Sequence, residues 1–294
     1  MMENFGETFK NIRTDKGFSL VDAARGIVST QFLSKFEKGE ANITVNKLNG
    51  VLNNIFVSWA EFMKIHDGDN LDSVLSFSNK LNEIIFANNY YELDKQTQRL
   101  LESYTVTGAV KDLHLATMIQ GIYFPIIEKE MVQENIKKVS EHLRQIDDWY
   151  SYENFLFGSM VNNLTDEEIK VYYKRVVRYF LKRQALGLEN DTLTVELYYT
   201  LLSRYVKDKN IDSANEIVNY FEKHVDTRSD PQYLFGNIIL KHKMGILHML
   251  QGDREKGEEE VRDTIKALEL VGGYDGVINN MFKDLQQTIK YLES

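Results

Sequence analysis

"VKDKNIDSANEIVNYFEKHV", residues 206–225, has an echo 43 positions further on in "MLQGDREKGEEEVRDTIKAL", residues 249–268. The two align on Ala214 and Gly257. In each, one helix ends, a polar turn follows, and a small residue opens a second helix. A third break, "NNLTDEEI" (162–169), lies near the same interval upstream, with Thr165 and Glu168 at capping-box spacing. Helix pairs recurring at such an interval build a solenoid of the tetratricopeptide-like kind, here with a unit longer than the common ~34 residues.

The rest of the chain agrees with this rhythm. Only two prolines, Pro125 and Pro231, interrupt 294 residues, and the stretches between them carry apolar residues at helical spacing. Hydrophobic residues make up 43%, enough for a sizeable core. The length favours two domains. Without cysteine, the chain has no disulfide, no thiolate chemistry and no cysteine-ligated zinc. The start "MMENFGETFKNIRTDKG" has no apolar core of a secretory signal, and no apolar run approaches the ~18 residues that span a bilayer. These features predict a cytoplasmic chain with no membrane partner.

Charge separates the front from the rest. Residues 1–65 carry eight Lys/Arg against seven Asp/Glu, a net +1. The remaining 27 basic and 37 acidic residues give −10. Overall acidity argues against non-specific coating of nucleic acid along the whole chain, but not against a small reading domain at one end.

Five short helices fit the front. Gly6–Lys16 is followed by a stop at Gly17. Ser19, with Asp22 three residues on, starts a second helix, and Gly26-Ile27-Val28 makes a turn. Ser29 or Thr30 caps a third helix that Lys38-Gly39 ends. Thr44 opens a fourth, and "SWAEFM" from Ser58 gives a fifth. In the third helix Phe32, Leu33 and Phe36 share one face. Gln31, Ser34, Lys35 and Lys38 share the opposite face, with Thr30 at the tip. Amide and hydroxyl groups suit base edges, and ammonium groups suit phosphates or guanine. Such a face fits the helix-turn-helix plan. It equally fits the solvated side of any amphipathic helix.

The run "FGETFKNIRTDKGFSLVDAARGIVSTQFLSKFEKGEANITVNKLNGVLNNIFVSWAEFM" resembles the repressor-like helix-turn-helix module of the XRE class. The likeness rests on Gly6, Ile12-Arg13, Gly17, Ser19-Leu20, Ala24, Ser34 to Gly39 and Trp59 to Phe62. Where many of that class carry a proline after Glu-x-Gly, this chain reads "EKGEANIT". That variant looks like the Rgg/GadR/MutR-type regulators of low-GC Gram-positive bacteria. "YENFLFGSMVNNLTDEEI" and "ILKHKMGILHMLQGDREKGEEEVRDTIKALELVG" also resemble them. The resemblance implies an all-α chain: a five-helix helix-turn-helix domain at 1–65, a linker at 66–72 ("HDGDNLD"), and a helical-repeat domain at 73–294. It implies a homodimer that controls transcription from double-stranded promoter DNA and senses a short hydrophobic signalling peptide after import (quorum sensing). Arg13 would then reach a phosphate, Thr30, Gln31, Ser34 and Lys35 would face base edges or nearby phosphates, and Lys38 would anchor the backbone. The alternatives are a surface ion pair of Arg13 with Asp15 or Glu7, and a helix C-terminal charge for Lys38.

A stacked array also presents a groove for peptides. "FANNYYEL", "DDWYSYENFLF" and "VELYYTLLSRY" supply aromatics for it, or for the core. Tyr233, Asn237 and Lys241, at i, i+4 and i+8, form a polar stripe, in which Asn237 either holds a peptide amide or is a plain exposed side chain. Ile278, Phe282, Leu285, Ile289 and Leu292 make a heptad seam in the last helix, fitting a dimer contact or packing on the preceding helix equally. A repeat domain that docks a whole protein, or a helical scaffold without DNA contact, would share much of this pattern.

Catalytic signatures are missing. Six histidines are scattered without H-E-x-x-H spacing, and no phosphate-binding loop occurs. "GGYDG" (272–276) follows no strand, "GSM" (158–160) lies in a helical pattern, and "EKGEEEVRD" (255–263) reads as a solvated helix face. The expectation is no enzyme and no cofactor.

Overall fold

A computed structural model of the chain describes residues 4–67, 77, 80–81, 83–85, 87, 89–186, 192–227 and 231–294. Every regular element among the described residues is helical, the all-α class expected. The chain divides into two compact units, Met1–Glu83 and Ile84–Ser294. Residues 1–3 of the expected front domain and 68–72 of the expected linker lie outside the described residues.

The first unit holds α1 (Phe5–Asp15), α2 (Leu20–Ala24), α3 (Thr30–Glu37), α4 (Val45–Asn54) and α5 (Trp59–Asp67). The first three begin on polar side chains that take up orphan backbone donors. Asn4 Oδ1 accepts from the Gly6 N–H at 2.9 Å, and the Ser19 and Ser29 hydroxyls accept from Asp22 and Phe32 N–H groups, each at 3.1 Å. Each cap contributes about 1 kcal/mol. Gly26 turns the chain between α2 and α3 at φ +74°, a conformation costly for other residues. Phe9, Leu33, Phe36, Val51, Leu52 and Phe62 close into one core. The apolar face of α3 is therefore inside, as its spacing requires.

The second unit holds α6 (Tyr90–Thr107), α7 (Val110–Tyr123), α8 (Gln133–Gln145), α9 (Ser151–Met160), α10 (Asp166–Ala185), α11 (Leu193–Lys207), α12 (Ile211–His224), α13 (Leu234–Leu250), α14 (Arg254–Val271) and α15 (Asp275–Leu292). Helices α7, α9, α11, α13 and α15 pack each on the next as one layer. Helices α8, α10, α12 and α14 back them. The 43-residue echo is thus two real helix pairs, α11/α12 and α13/α14. Ala214 and Gly257 are each the fourth residue of a backing helix, and both are buried. Ile136 and Ile169 hold the same place in α8 and α10. The repeat also fixes polar contacts. The Tyr173 hydroxyl donates to Glu216 at 3.0 Å, and Arg204 donates to the Val161 carbonyl, both across 43 residues.

The heptad seam of α15 lies inside the unit. Ile278, Met281 and Leu285 join the buried cluster of Ile246, Met249, Val261, Ile265 and Leu268, and Phe282, Ile289 and Leu292 pack against it. This corrects the dimer-contact reading of the seam in favour of the packing alternative. An apolar stripe two heptads long is one face, and α13 and α14 already cover it.

Candidate functional site

Two surfaces collect the side chains capable of recognition, one in each unit. In the first unit, Leu33 and Phe36 hold α3 to the core, so its far side is turned out. Thr30, Gln31, Lys35 and Lys38 are exposed and Ser34 is partly so. Lys47, on α4, stands 5.6 Å over the Phe32 ring and adds a cation beside this face. The sequence reading missed Lys47, because only the packing of α4 on the first helices brings it there.

Arg13 is not on this face. Its Nε and Nη2 donate to the two carboxylate oxygens of Glu37 at 2.6 and 2.9 Å, and Nη1 donates to the Phe18 carbonyl at 2.7 Å. Both partners are buried. The phosphate contact expected of Arg13 is corrected: its forked guanidinium is committed to joining α1 to the end of α3. The alternative of a surface ion pair with Asp15 or Glu7 is corrected as well: the pair is buried and its partner is Glu37 on α3.

In the second unit, α11 carries the surface. Glu196, Thr200, Ser203 and Lys207 follow one another at spacings of four, three and four, so they share a face, and Tyr199 stands beside Thr200 at its edge. Two depressions lie along it. The first, of about 260 Å³, is walled by Ile122, Pro125, Phe155 and Leu197, with Tyr199 and Thr200 at its polar side. The second, of about 560 Å³, is walled by Val206, Ile246 and Leu250, with Ser203, Lys207, Lys243 and Asp284 around it. Thr200 borders the first hollow and Ser203, one turn on along α11, borders the second. Gly121 and Gly158 let the layer close up here. A Cβ on Gly121 would collide with the Ser159 carbonyl, and one on Gly158 with the Leu197 side chain.

The electrostatics of the groove are set by burial. Burial, with the Glu196 carboxylate second, pushes the Tyr199 phenol up to about 12, so it stays a neutral donor. Burial acts to raise Asp284, but the His242 imidazole, 3.5 Å away, and the Lys243 ammonium hold it below the usual carboxylate range. His242 is itself lowered by its burial. The result is an apolar trough edged by hydroxyls, an amide (Asn162) and fixed charges, suited to an extended chain with alternating contacts.

The expected stripe on α13 does not form this groove. Tyr233 is 1% exposed and belongs to the core. Asn237 donates to the Thr227 carbonyl at 2.9 Å and accepts from its hydroxyl at 2.6 Å, so it fastens the preceding loop. Lys241 is exposed and lines neither hollow. Those three are corrected as groove residues. The cluster "VELYYTLLSRY" does contribute, but through one ring: Tyr199 faces the groove, while Tyr198 stacks on Phe221 at 4.4 Å and Tyr205 is buried. The repeated spacing of Glu196, Thr200, Ser203 and Lys207 was the signal available in the sequence.

A helical front unit with an outward polar helix, joined in sequence to a stacked array with an inner groove, defines a regulator-type architecture. The sequence model of the family described as "HTH-type transcriptional regulator Rgg, C-terminal domain" matches residues 87–283, and the chain belongs to that family. Its members are transcriptional regulators, not enzymes. Among solved structures, a protein from Listeria monocytogenes EGD-e described as a transcriptional regulator is similar over 100% of this chain and 99% of its own, at TM-score 0.83 and 21% identity. The SHP pheromone receptor Rgg2 of Streptococcus dysgalactiae is similar over 97% and 99%, at TM-score 0.75 and 18% identity. PrgX in its iCF10 complex is similar over 99% and 98%, at TM-score 0.72 and 15% identity. At these identities the likeness is one of fold.

Proposed function

We propose that this chain acts inside the cell as a homodimeric, DNA-binding transcriptional regulator whose second unit senses a short signalling peptide. The observation that carries the reading is the face of α3: Gln31, Lys35 and Lys38 stand exposed over a side chain layer buried by Leu33 and Phe36. In this reading Thr30, Gln31, Ser34 and Lys35 meet base edges or adjoining phosphates in the major groove, and Lys38 and Lys47 meet the backbone. Two copies place two such helices over two half-sites. The relatives named as a pheromone receptor and as a peptide complex support a peptide as the effector. The groove along α11 supplies a place for it. A peptide that binds one arrangement of the dimer better than another shifts the population and so the promoter activity.

Selection of genomic fragments by the purified full-length protein tests this directly. A recovered site with two-fold symmetry is expected. Gln31→Ala should relax base preference at one position of each half-site and cost about 1–3 kcal/mol of binding, while Lys38→Ala should weaken all sequences alike and flatten the salt dependence. Recovery of no enriched sequence, with the protein folded, would remove the DNA reading.

A further inference from the structure

The groove face of α11 changes sign along its length. Glu196 stands at the apolar hollow. Eleven positions later, about 16 Å at ~1.5 Å per residue, Lys207 stands at the second hollow, with Lys209 beyond the helix end. Lys243 in the same hollow is already neutralised by Asp284, and Asp208 is held by Arg204 at 3.5 Å. Lys207 and Lys209 have no carboxylate partner among the described residues. Lys209 holds φ +56°, rarely adopted by a lysine, and its ammonium lies 3.2 Å over the Tyr291 ring at the wall of the hollow. A charge held over a ring and offered no carboxylate by the described residues leaves room for an incoming anion.

We propose that the ligand is a peptide with a free C-terminal carboxylate, extended along α11 with that carboxylate over Lys207 and Lys209. Its apolar side chains enter the hollow walled by Ile122, Phe155 and Leu197, and its α-amino group points towards Glu196. At ~3.3 Å per extended residue, the distance between the charged ends fits a peptide of about five to seven residues. This rests on the reading that the second unit senses a peptide, and it adds which end is recognised and by which side chains.

The test uses full-length protein and synthetic seven-residue pools of Leu, Ile, Val, Phe and Ser, made as free acids, as C-terminal amides and as N-acetylated acids. Bound peptide is quantified by affinity selection and mass spectrometry against an albumin control. Free acids should be retained about tenfold better than amides. That preference should shrink at high salt and vanish in a Lys207→Gln/Lys209→Gln double variant whose melting temperature matches the parent. N-acetylation should weaken retention, and Glu196→Gln should remove that loss. Equal retention of acids and amides, or an acid preference that survives in the double variant, would overturn the inference while leaving peptide sensing intact. Retention of neither pool above albumin would overturn the peptide-sensing reading itself, and this inference with it.

Discussion

Arg13 on α1 and Glu37 on α3 are joined by two hydrogen bonds, at 2.6 and 2.9 Å, between side chains that are 9% and 5% exposed. A forked cation against a carboxylate satisfies both groups where water is excluded. Breaking one side leaves the other charged and buried. Arg13→Ala or Glu37→Ala should therefore destabilise the first unit by about 3–5 kcal/mol, measured by denaturant unfolding. A paired replacement by apolar residues of similar volume should recover most of that loss. If Arg13→Ala instead left stability unchanged, the pair would be ornamental.

The α15 seam gives a second expectation. Leu285 is 3% exposed in the cluster shared with α13 and α14. Leu285→Ala should cost about 2–5 kcal/mol of unfolding free energy, through lost transfer energy and the cavity left behind. Sedimentation of the folded variant should show the same association state as the parent. Dissociation without loss of stability would restore the seam to a subunit contact.

Helices α13 and α14 cross where Gly245 and Gly257 face each other. A Cβ on Gly257 would run into the Gly245 carbonyl and the Met249 side chain. In an open helix Gly→Ala would gain up to ~1 kcal/mol. Here Gly257→Ala should instead destabilise by about 1–3 kcal/mol, because the crossing cannot open without moving two packed backbones. Thermal unfolding of the pair of proteins decides the sign.

Acid should weaken the fold through His114. Burial first, and the neighbouring His142 ring second, lower its pKa from 6.5 to about 4, while its Nδ1 stays 2.8 Å from the Tyr152 hydroxyl. Unfolded chain takes up the proton near 6.5, and folded chain only near 4. Between those values the unfolded state binds more protons, so stability falls as pH drops from about 6.5 to about 4 and flattens below. His242, also lowered by burial, acts in the same direction. Denaturant midpoints across this range should show the slope, and His114→Phe should reduce it.

What could be read from the sequence follows the reach of the interactions. Local signals sufficed for Ser19 and Thr165 and narrowed the α3 cap to Ser29 or Thr30, of which Ser29 is the cap, because a cap is a contact three residues long. The 43-residue echo located Ala214 and Gly257 at matching turns because a repeat restates its own packing. Long-range partnerships were another matter. Nothing in the neighbourhood of Arg13 announces Glu37, 24 residues away, and both lie in a stretch that also fits a surface reading. Asn237 reads from the sequence as either a groove amide or a plain exposed side chain, and it is neither, because its partner Thr227 precedes it across a loop, outside the helical period. The polar stripe at Tyr233, Asn237 and Lys241 and the one on α11 are both at helical spacing. Only the stacking order of the layer decides that α11, gripped by α9 on one side and α13 on the other, presents its stripe to the hollow.

That stacking order has a mechanical corollary. Because the helices of the layer pack in sequence order, α7 on α9, α9 on α11, α11 on α13 and α13 on α15, small rotations at successive joints would add along the second unit. An occupant wedged against α11 would load the joints on both of its sides at once, toward α9 and toward α13. A modest local strain in the middle of the array would then be felt at both of its ends.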